Sequence, residues 1–431
     1  MERHRAGHPR KQAPFLGGDQ FVEARHARYG STVRRRDFLR RAAVTGTGLA
    51  IAPSVLAACG GDSGDGDGSL SIGTPDAPVT LPTVGEAIAD GLSPESGTLE
   101  LLNWADYANP ESLAAFEAAL GVKVNVTIYD NEEAALLKLR NGTFAPDVIM
   151  GMTDTALARL VAAELLQPLN KGYIPNFSNV IVGLQDPYYD LGAQYTVPYV
   201  IYGNGIVYRT DVIDRSRFTD GDGLGAMWDA TYAGRLAVLD SYRDTISMAL
   251  IRDGITDVNT GDEAVLRAAG DSLRALREAT NPKVDILSYQ ELPAGNRDIA
   301  FTWAGDALSM PGYLPEGVDP NVIGFWWPPT TVTANDFMCI PRTSSKPVLA
   351  HAFINFFSDR DEALRNASFV GYQPALQGIS IDDYRAATGI PESVLDALVT
   401  PERYESGLRM YSLEPAVDAL WNDVWAGFTA G

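Results

Sequence analysis

The chain has 431 residues and a formal net charge of −21, from 55 Asp and Glu against 34 Lys and Arg. This length is too great for one hydrophobic core and predicts two or three domains. The acidic balance excludes a general nucleic-acid-binding protein, because phosphate binding needs an excess of cations. Only two Cys and four His occur. These counts exclude a disulfide framework, argue against multi-His metal sites and Ser-His-Asp chemistry, and give no indication of a cofactor.

The first 58 residues are basic and have the pattern of an export signal. Arg35-Arg36 begins a twin-arginine motif, a mildly apolar stretch follows over 42–58, and Leu56-Ala57-Ala58-Cys59 resembles a bacterial lipobox. The apolar stretch contains Pro53 and is shorter than the roughly 20 residues that a transmembrane helix needs. We therefore expect residues 1–58 to be a twin-arginine lipoprotein signal peptide and Cys59 to be lipidated.

A segment rich in Gly and Asp follows over 60–69. It resembles a calcium loop only superficially, because no Glu stands where an EF-hand needs its bidentate ligand. We expect residues 59–96 to be the lipidated cysteine and a flexible linker. The sequence has no second hydrophobic span. The body is therefore expected on the outer face of the cytoplasmic membrane, in the periplasm or cell-wall space, held there by the lipid.

Beyond residue 97, predicted strands and helices alternate. The predicted strands are 99–102, 122–126, 146–150, 235–239 and 298–302, and the predicted helices are 110–120, 132–140 and 155–163. Such alternation is typical of an α/β protein with parallel sheets that helices cover on both faces.

Aromatic and acidic side chains recur after the predicted strands, where open α/β sheets bind their ligands. These residues are Trp104, Asp106, Tyr107, Asp154, Asp240, Asp244, Trp303 and Asp306, with Asp336 following a further extended run over 330–333. Carboxylates pair with ammonium groups, and each aromatic ring attracts a cation by about 0.5–2 kcal/mol. The pattern therefore predicts a site for an elongated organic cation.

Each of these residues also has a structural interpretation. A Trp at a strand end can cover the core, and an Asp can cap a helix, as Asp154 could before Thr155. His351 and Cys339 lie in apolar segments and are expected to be structural. The acidity of the body is mainly that of a solvated surface and does not establish a cationic ligand.

Several motifs, taken in order, resemble the spermidine/putrescine-binding proteins of ABC importers. Asn103-Trp104-Ala105-Asp106-Tyr107 is similar to the N-W-[ST]-[DE]-Y opening of that family. The similarity continues through 146–149, 176–179, 197–199, 303–306, 335–336, 340–341 and 371–374. It covers nearly all of 97–431, and the ordered set is more specific than any single motif.

The resemblance implies a two-lobed fold like that of periplasmic binding proteins. Each lobe would be a mainly parallel sheet flanked by helices, with a hinge between the lobes and the ligand in the cleft. Carried over to this chain, lobe 1 would be 97–204 plus 335–380, and lobe 2 would be 205–334 plus 381–431. The resemblance also implies a monomer without catalytic activity that docks on an ABC permease, while another subunit hydrolyses ATP.

The resemblance also assigns the site. Rings would come from Trp104, Tyr107 and Trp303, carboxylates from Asp106, Asp244, Asp306 and Asp336, and an aromatic hydroxyl from Tyr372. The departures are Ala334 in place of a large ring, Met152 in place of Ser, Asp154 in place of Tyr, and Ser241 in place of Asp, with Asp240 beside it. The expected ligand is a polyamine, either putrescine or a spermidine-like amine, and the departures leave the choice open.

Three alternatives remain from the sequence. The first is a binding protein for another solute, such as a sugar or another cationic metabolite. The second is a secreted glycosidase that uses two carboxylates, which the absence of a well-placed Glu disfavours. The third is a surface adhesin. A cation held by carboxylates should lose affinity as salt rises, whereas a sugar should not.

Overall fold

A computed structural model of the chain describes residues 73–129, 131–219 and 222–430. The expected signal peptide, Cys59 and the first part of the expected linker lie outside the described residues. Within these ranges, no helix is both long and apolar enough to cross a membrane.

Ten strands of the described part form one sheet. They are β1 Thr98–Asn103, β2 Lys123–Ile128, β3 Val148–Thr153, β4 Val197–Arg209, β5 Leu236–Val238, β6 Lys283–Val284, β7 Ile299–Trp303, β8 Ile323–Trp326, β9 Thr333–Cys339 and β10 Gln373–Pro374. Their order in the sheet is β2-β1-β3-β9-β4-β7-β5-β6, and β8 and β10 also pair with β4.

Helices follow most strands, as the alternation predicts. They are α1 Pro110–Leu120, α2 Glu132–Arg140, α3 Asp154–Ala162, α4 Ser216–Thr219, α5 Tyr242–Arg252, α6 Glu263–Thr280, α7 Ser288–Glu291, α8 Ala304–Ser309, α9 Pro347–Phe357, α10 Arg360–Val370, α11 Ile381–Thr388, α12 Pro401–Ser406 and α13 Pro415–Ala430. Short 3-10 helices lie at Lys171–Tyr173, Pro175–Asn179, Val182–Leu184, Leu224–Trp228, Ala230–Tyr232, Met310–Tyr313, Pro320–Val322 and Glu392–Ala397.

Local chemistry explains where these helices begin and end. In α1 the side chain of Asn109 accepts a hydrogen bond from the backbone N–H of Glu111, and Pro110 occupies the first helical position. The helix ends at Gly121, whose φ of 67° is the left-handed conformation that glycine adopts readily. The predicted bounds of α1 are therefore confirmed.

The sheet is mixed. β1 pairs in parallel with β2 and β3, and β5 pairs in parallel with β6 and β7. β9 pairs antiparallel with β3 and with β4, and every pair formed by β4 is antiparallel. The α/β fold is confirmed, but the expectation of mainly parallel sheets holds only away from β4 and β9.

β4 connects the two halves of this sheet. Its first part, 197–203, pairs with β9, and its second part, 204–209, pairs with β7 and β8. β9 starts at Thr333, directly opposite Gly203 of β4. The chain therefore crosses between the two halves at 203–204 and returns over 327–333.

A separate hydrophobic core lies in each half. One core includes Leu136, Leu157 and Phe337. The other includes Leu273 and Trp421, and it joins the C-terminal helix α13 to α5 and α6. The predicted boundaries 97–204, 205–334, 335–380 and 381–431 stay a prediction.

The flexible linker expected to reach residue 96 is shorter than predicted. Leu81 is only 2% exposed and belongs to the first core. The hydroxyl of Tyr195 accepts a hydrogen bond from the backbone N–H of Val84, and the carboxylate of Glu95 accepts one from the N–H of Leu349 at 2.8 Å. These apolar and polar contacts hold 81–96 against the body, which is a correction to the expected loose tether.

His351 and Cys339 are structural, as the sequence indicates. Both side chains are fully buried. Nε2 of His351 accepts a hydrogen bond from the backbone N–H of Asn170 at 3.0 Å, and burial lowers the pKa of the imidazole. Burial likewise raises the pKa of the Cys339 thiol, which makes it unreactive.

Candidate ligand-binding site

Asp336 lies at the centre of the site, within β9. This position is a correction, because the sequence suggested that Asp336 follows a strand over 330–333. It pairs across the sheet with Thr153 of β3 and Val200 of β4. The hydroxyl of Tyr107 donates to Oδ2 of Asp336 at 2.6 Å, and the hydroxyl of Tyr202 donates to Oδ1 at 3.0 Å. Two neutral phenols therefore hold both carboxylate oxygens.

The environment of Asp336 disfavours its negative charge. The residue is 5% exposed, and burial raises the pKa of its carboxyl well above the usual range. The two phenol hydrogen bonds lower the pKa by a smaller amount. The other charges that act on it are carboxylates, Glu132 and Asp154, which raise the pKa further. Asp336 is thus a buried acid without a nearby cation among the described residues.

Asp306 is a second buried acid, in the first turn of α8 after β7. The hydroxyl of Tyr372 donates to its Oδ1 at 2.9 Å, and Oγ1 of Thr302 donates to its Oδ2 at 3.0 Å. Burial raises the pKa of Asp306 to about 7. Gly305 allows this arrangement, since a Cβ at that residue would lie 2.3 Å from Cγ of Tyr372.

Three tyrosine rings link the two acids. The ring centroids of Tyr107 and Tyr372 are 5.0 Å apart, and those of Tyr202 and Tyr372 are 5.7 Å apart, both in edge-to-face geometry. Asp306, Asp336 and these three tyrosines are called the carboxylate–tyrosine cluster below. The structure thus brings four of the sequence-predicted site residues, Tyr107, Asp306, Asp336 and Tyr372, into one connected group.

Asp244 and Trp303 lie beside this cluster in the other half of the sheet. Nδ2 of Asn204 donates to Oδ1 of Asp244 at 2.7 Å, and the hydroxyl of Ser241 donates to Oδ2. The side chain of Trp303 also hydrogen-bonds Asp244, and Trp303 pairs with Asn204 across β4 and β7. Burial raises the pKa of the Asp244 carboxyl. These two predicted residues therefore contact each other at the crossing strand.

Trp104 and Asp106 occupy the loop after β1. Nε1 of Trp104 donates to the backbone oxygen of Gly151 at 2.7 Å, and its ring centroid lies 4.6 Å from that of Tyr129. Asp106 has a φ of 53° and accepts a hydrogen bond from the hydroxyl of Tyr313 at 3.1 Å. The indole N–H is therefore occupied by the backbone, while Trp104 and Asp106 are both only half-buried.

Asp154 is less suited to hold a cation than the sequence suggests. It is the first residue of α3, with Thr153 in the N-cap position, so the capping role considered for it is wrong. The hydroxyl of Tyr188 donates to its Oδ2 at 2.6 Å. Burial raises the pKa of Asp154, while the charges of Arg409 and Arg243 lower it. Two arginines thus already supply positive charge there.

Asp240 does not join the carboxylate–tyrosine cluster. Its side chain is exposed, and its backbone N–H donates to the backbone oxygen of Asp285 at 3.2 Å. Partial burial and the nearby Asp285 carboxylate raise its pKa. The neighbouring Ser241 instead contacts Asp244, as described above, so Asp240 is not placed with the acids of the crossing strand.

Sequence reasoning missed Tyr202 and Asn204. Tyr202 lies opposite Ala334 in the β4–β9 pair, so its ring stands beside the position that lacks a large side chain. Tyr202 and Asn204 are separated by one position on β4 and therefore face the same side of the sheet. Alternation of side chains along β4 places these two residues on one face. Only the register of β4 with β7 and β9 shows which side chains they contact.

These features define a class of protein. Two cores joined by a crossing strand, with acids and rings gathered at the crossing, are typical of binding proteins that hold a small molecule between two lobes. The sequence of residues 111–392 matches the family described as bacterial extracellular solute-binding proteins. The match covers more than half of the chain, and the protein therefore belongs to this family, whose members bind solutes and are not enzymes.

Curated relatives agree with the resemblance seen in the motifs. The chain is 26% identical over 295 residues to the spermidine/putrescine-binding periplasmic protein of Escherichia coli, covering 66% of this chain and 81% of that protein. It is 25% identical over 311 residues to the putrescine/agmatine-binding protein of Pseudomonas aeruginosa, covering 68% and 82%. Since the family is described as extracellular and the Escherichia coli relative as periplasmic, the protein is exported.

Solved structures show the same fold. The substrate-binding protein of a spermidine/putrescine ABC transporter from Streptococcus pneumoniae superposes with a TM-score of 0.63 at 23% identity, over 78% of this chain and 99% of that one. A lipoprotein of Treponema pallidum superposes with a TM-score of 0.62 at 20% identity, over 77% and 99%. The expected two-lobed fold of a periplasmic binding protein is therefore confirmed.

Proposed function

We propose that this protein captures a polyamine, such as putrescine or a spermidine-like amine, between its lobes and delivers it to an ABC permease. The observation that carries the proposal is the set of three buried acids around the crossing strand, Asp244, Asp306 and Asp336, each held by uncharged donors. The relatives named above are described as binding spermidine, putrescine or agmatine, which are amines of this class.

The electrostatics of the cluster favour a cationic ligand. Burying a carboxylate is unfavourable unless a cation or several hydrogen bonds compensate it. The raised pKa values of Asp306 and Asp336 indicate that neutral hydroxyls compensate only part of this penalty. The charge of Arg243 lowers the pKa of Asp244, but burial still leaves that pKa raised, and the Arg243 guanidinium donates its hydrogen bonds to Tyr411, Val258 and Asn259. A diamine would supply the missing charge.

Aromatic rings lie next to each of the three buried acids. Tyr107, Tyr202 and Tyr372 lie between Asp306 and Asp336, and Trp303 lies against Asp244. A ring within about 6 Å of an ammonium group contributes about 0.5–2 kcal/mol, and ring faces also pack against methylene groups. A slim alkyl chain with terminal ammonium groups suits both features.

The finer details of localisation belong to the same proposal. Export through the twin-arginine pathway and lipidation of Cys59 would place a monomeric binding protein on the outer face of the cytoplasmic membrane. Mass spectrometry of the protein purified from membranes tests this directly. A diacylglyceryl adduct on Cys59 is expected, and a mature N-terminus elsewhere would contradict it.

Isothermal titration calorimetry with putrescine, spermidine and glucose tests the ligand class. We expect heat with at least one amine, affinity that falls as salt rises, and no heat with glucose. Asp336→Asn should weaken binding about tenfold or more, because hydrogen bonds to charged groups contribute about 1.5–3 kcal/mol. Asp382→Asn is the matched control, since Asp382 is exposed on α11. Unchanged affinity in the Asp336 variant would remove that residue from the site.

A further inference from the structure

Asn204 has an unusual position at the point where β4 crosses between the halves of the sheet. It is 1% exposed, and its backbone is fully paired: its N–H donates to Val332 at 3.0 Å, and its carbonyl accepts from Oγ1 of Thr331 at 2.7 Å. Its side-chain Nδ2 donates to Asp244. Its side-chain Oδ1, in contrast, is a buried acceptor without a hydrogen-bond partner among the described residues.

The orientation of this amide follows from the chemistry of its partner. A carboxylate accepts hydrogen bonds, so Nδ2 rather than Oδ1 must face Oδ1 of Asp244 at 2.7 Å. Oδ1 of Asn204 therefore points away from that carboxylate. Leaving a buried acceptor unpaired is unfavourable by about 1–3 kcal/mol. Such groups in native proteins usually meet a ligand or an ordered water.

The flanking glycines show which face of the sheet carries Asn204. A Cβ on Gly203 would lie 2.8 Å from the ring of Trp327, and a Cβ on Gly205 would lie 2.3 Å from the ring of Phe325. Those rings cover the face toward which 203 and 205 point. Side chains alternate along a strand, so Asn204 and Tyr202 point to the opposite face, where Tyr202 contacts Asp336.

We propose that Asn204 contacts the ligand and that its Oδ1 accepts an N–H from the ammonium group held by Asp244. This inference deepens the proposed function and rests on it. A carboxylate attracts any cation, whereas a neutral acceptor such as Oδ1 recognises only an ammonium that carries hydrogens. A quaternary ammonium has the same charge and attraction to rings, but it has no N–H to donate. The cleft should therefore select protonated primary amines over quaternary ones.

The test compares putrescine with its fully methylated, bis-quaternary analogue by calorimetry. The wild-type protein should prefer putrescine. Asn204→Leu, which removes donor and acceptor together, should reduce this preference about tenfold or more, because one charged hydrogen bond is lost. Asn204→Asp keeps the acceptor but loses the donor to Asp244. It should therefore retain the preference even though the protein melts at a lower temperature.

Asn366→Leu serves as the matched control for removing a buried amide. Asn366 is 2% exposed, and both ends of its amide are paired within the protein, with Tyr199 and Asn109. That variant should melt earlier and keep the wild-type preference. Equal loss of preference in Asn204→Leu and Asn204→Asp would show that Asn204 only positions Asp244, and would overturn the inference. A wild-type protein that binds no amine would instead refute the proposed function at the first step.

A crystal structure of the putrescine complex gives a second readout that does not depend on folding of a variant. The nitrogen of the ligand should lie within about 2.7–3.2 Å of Oδ1 of Asn204. A water at that position, with the ligand nitrogen elsewhere, would overturn the inference.

Discussion

The titration of Asp306 gives a prediction about stability. Burial raises the pKa of this carboxyl to about 7 in the folded protein, whereas an unperturbed Asp has a pKa near 3.8. Below the unfolded pKa, both states hold the proton. As pH rises toward 7, the unfolded chain loses the proton first, so the folded state binds more protons and its stability falls. The contribution of Asp306 is therefore lost as pH rises through the folded pKa.

The magnitude follows from the size of the shift. A difference of about three pKa units corresponds to roughly 4 kcal/mol of unfolding free energy in total, at about 1.36 kcal/mol per unit. Between pH 5 and pH 8, the part lost should be about 3 kcal/mol. The Asn side chain in Asp306→Asn does not titrate, so this variant should lack this component. It can still donate and accept within the same hydrogen bonds.

Urea unfolding of wild type and Asp306→Asn at several pH values measures this directly. Burial also raises the pKa values of Asp336, Asp244 and Asp154, and it lowers the pKa of His351. The informative quantity is therefore the difference between the two proteins, which should change by about 3 kcal/mol across the range. A difference that stays constant from pH 5 to pH 8 would refute the reasoning. The exposed substitution Asp382→Asn provides the baseline.

Three further predictions concern Tyr202, Gly305 and Leu81. Tyr202→Phe removes the phenol donor to the buried acid of β9, and should weaken putrescine binding several-fold while lowering stability by about 1 kcal/mol, measured by calorimetry and urea unfolding. Gly305→Ala should destabilise by about 1–3 kcal/mol, whereas Gly183→Ala, where no atom lies within 4 Å, should change stability by less than about 1 kcal/mol in urea unfolding. Leu81→Ala should destabilise by about 2–5 kcal/mol in the same assay, and Leu92→Ala, 50% exposed, should not.

Much of the fold is predictable from local sequence signals. Alternating and apolar runs gave β1, β3 and β7, and an Asn cap followed by Pro110 gave the start of α1. Strand direction is different, because antiparallel pairing of β4 depends on contacts between segments that are more than a hundred residues apart in sequence. Local periodicity carries no information about such pairings.

The candidate site was partly predictable for the same reason. Tyr107, Asp306 and Tyr372 were identified from motifs, and the structure joins them in one cluster. The role of Tyr202 depends on which residue it faces across β9, and a slip of one residue would have placed it on the other face. Likewise, Leu81 lies in a segment whose Pro and Gly content suggested a linker, although its side chain fills a place in the first core.

The crossing strand has a consequence for how the molecule moves. Because β4 is hydrogen-bonded to β9 on one side of Gly203 and to β7 on the other side, a rotation of one half against the other must be taken up as torsion within this strand. The amide of Asn204 donates to Val332 in the returning segment, so deuterium uptake at this amide should report that torsion. A ligand that contacts both halves should slow deuterium exchange at the Asn204 amide before it changes exchange in either hydrophobic core.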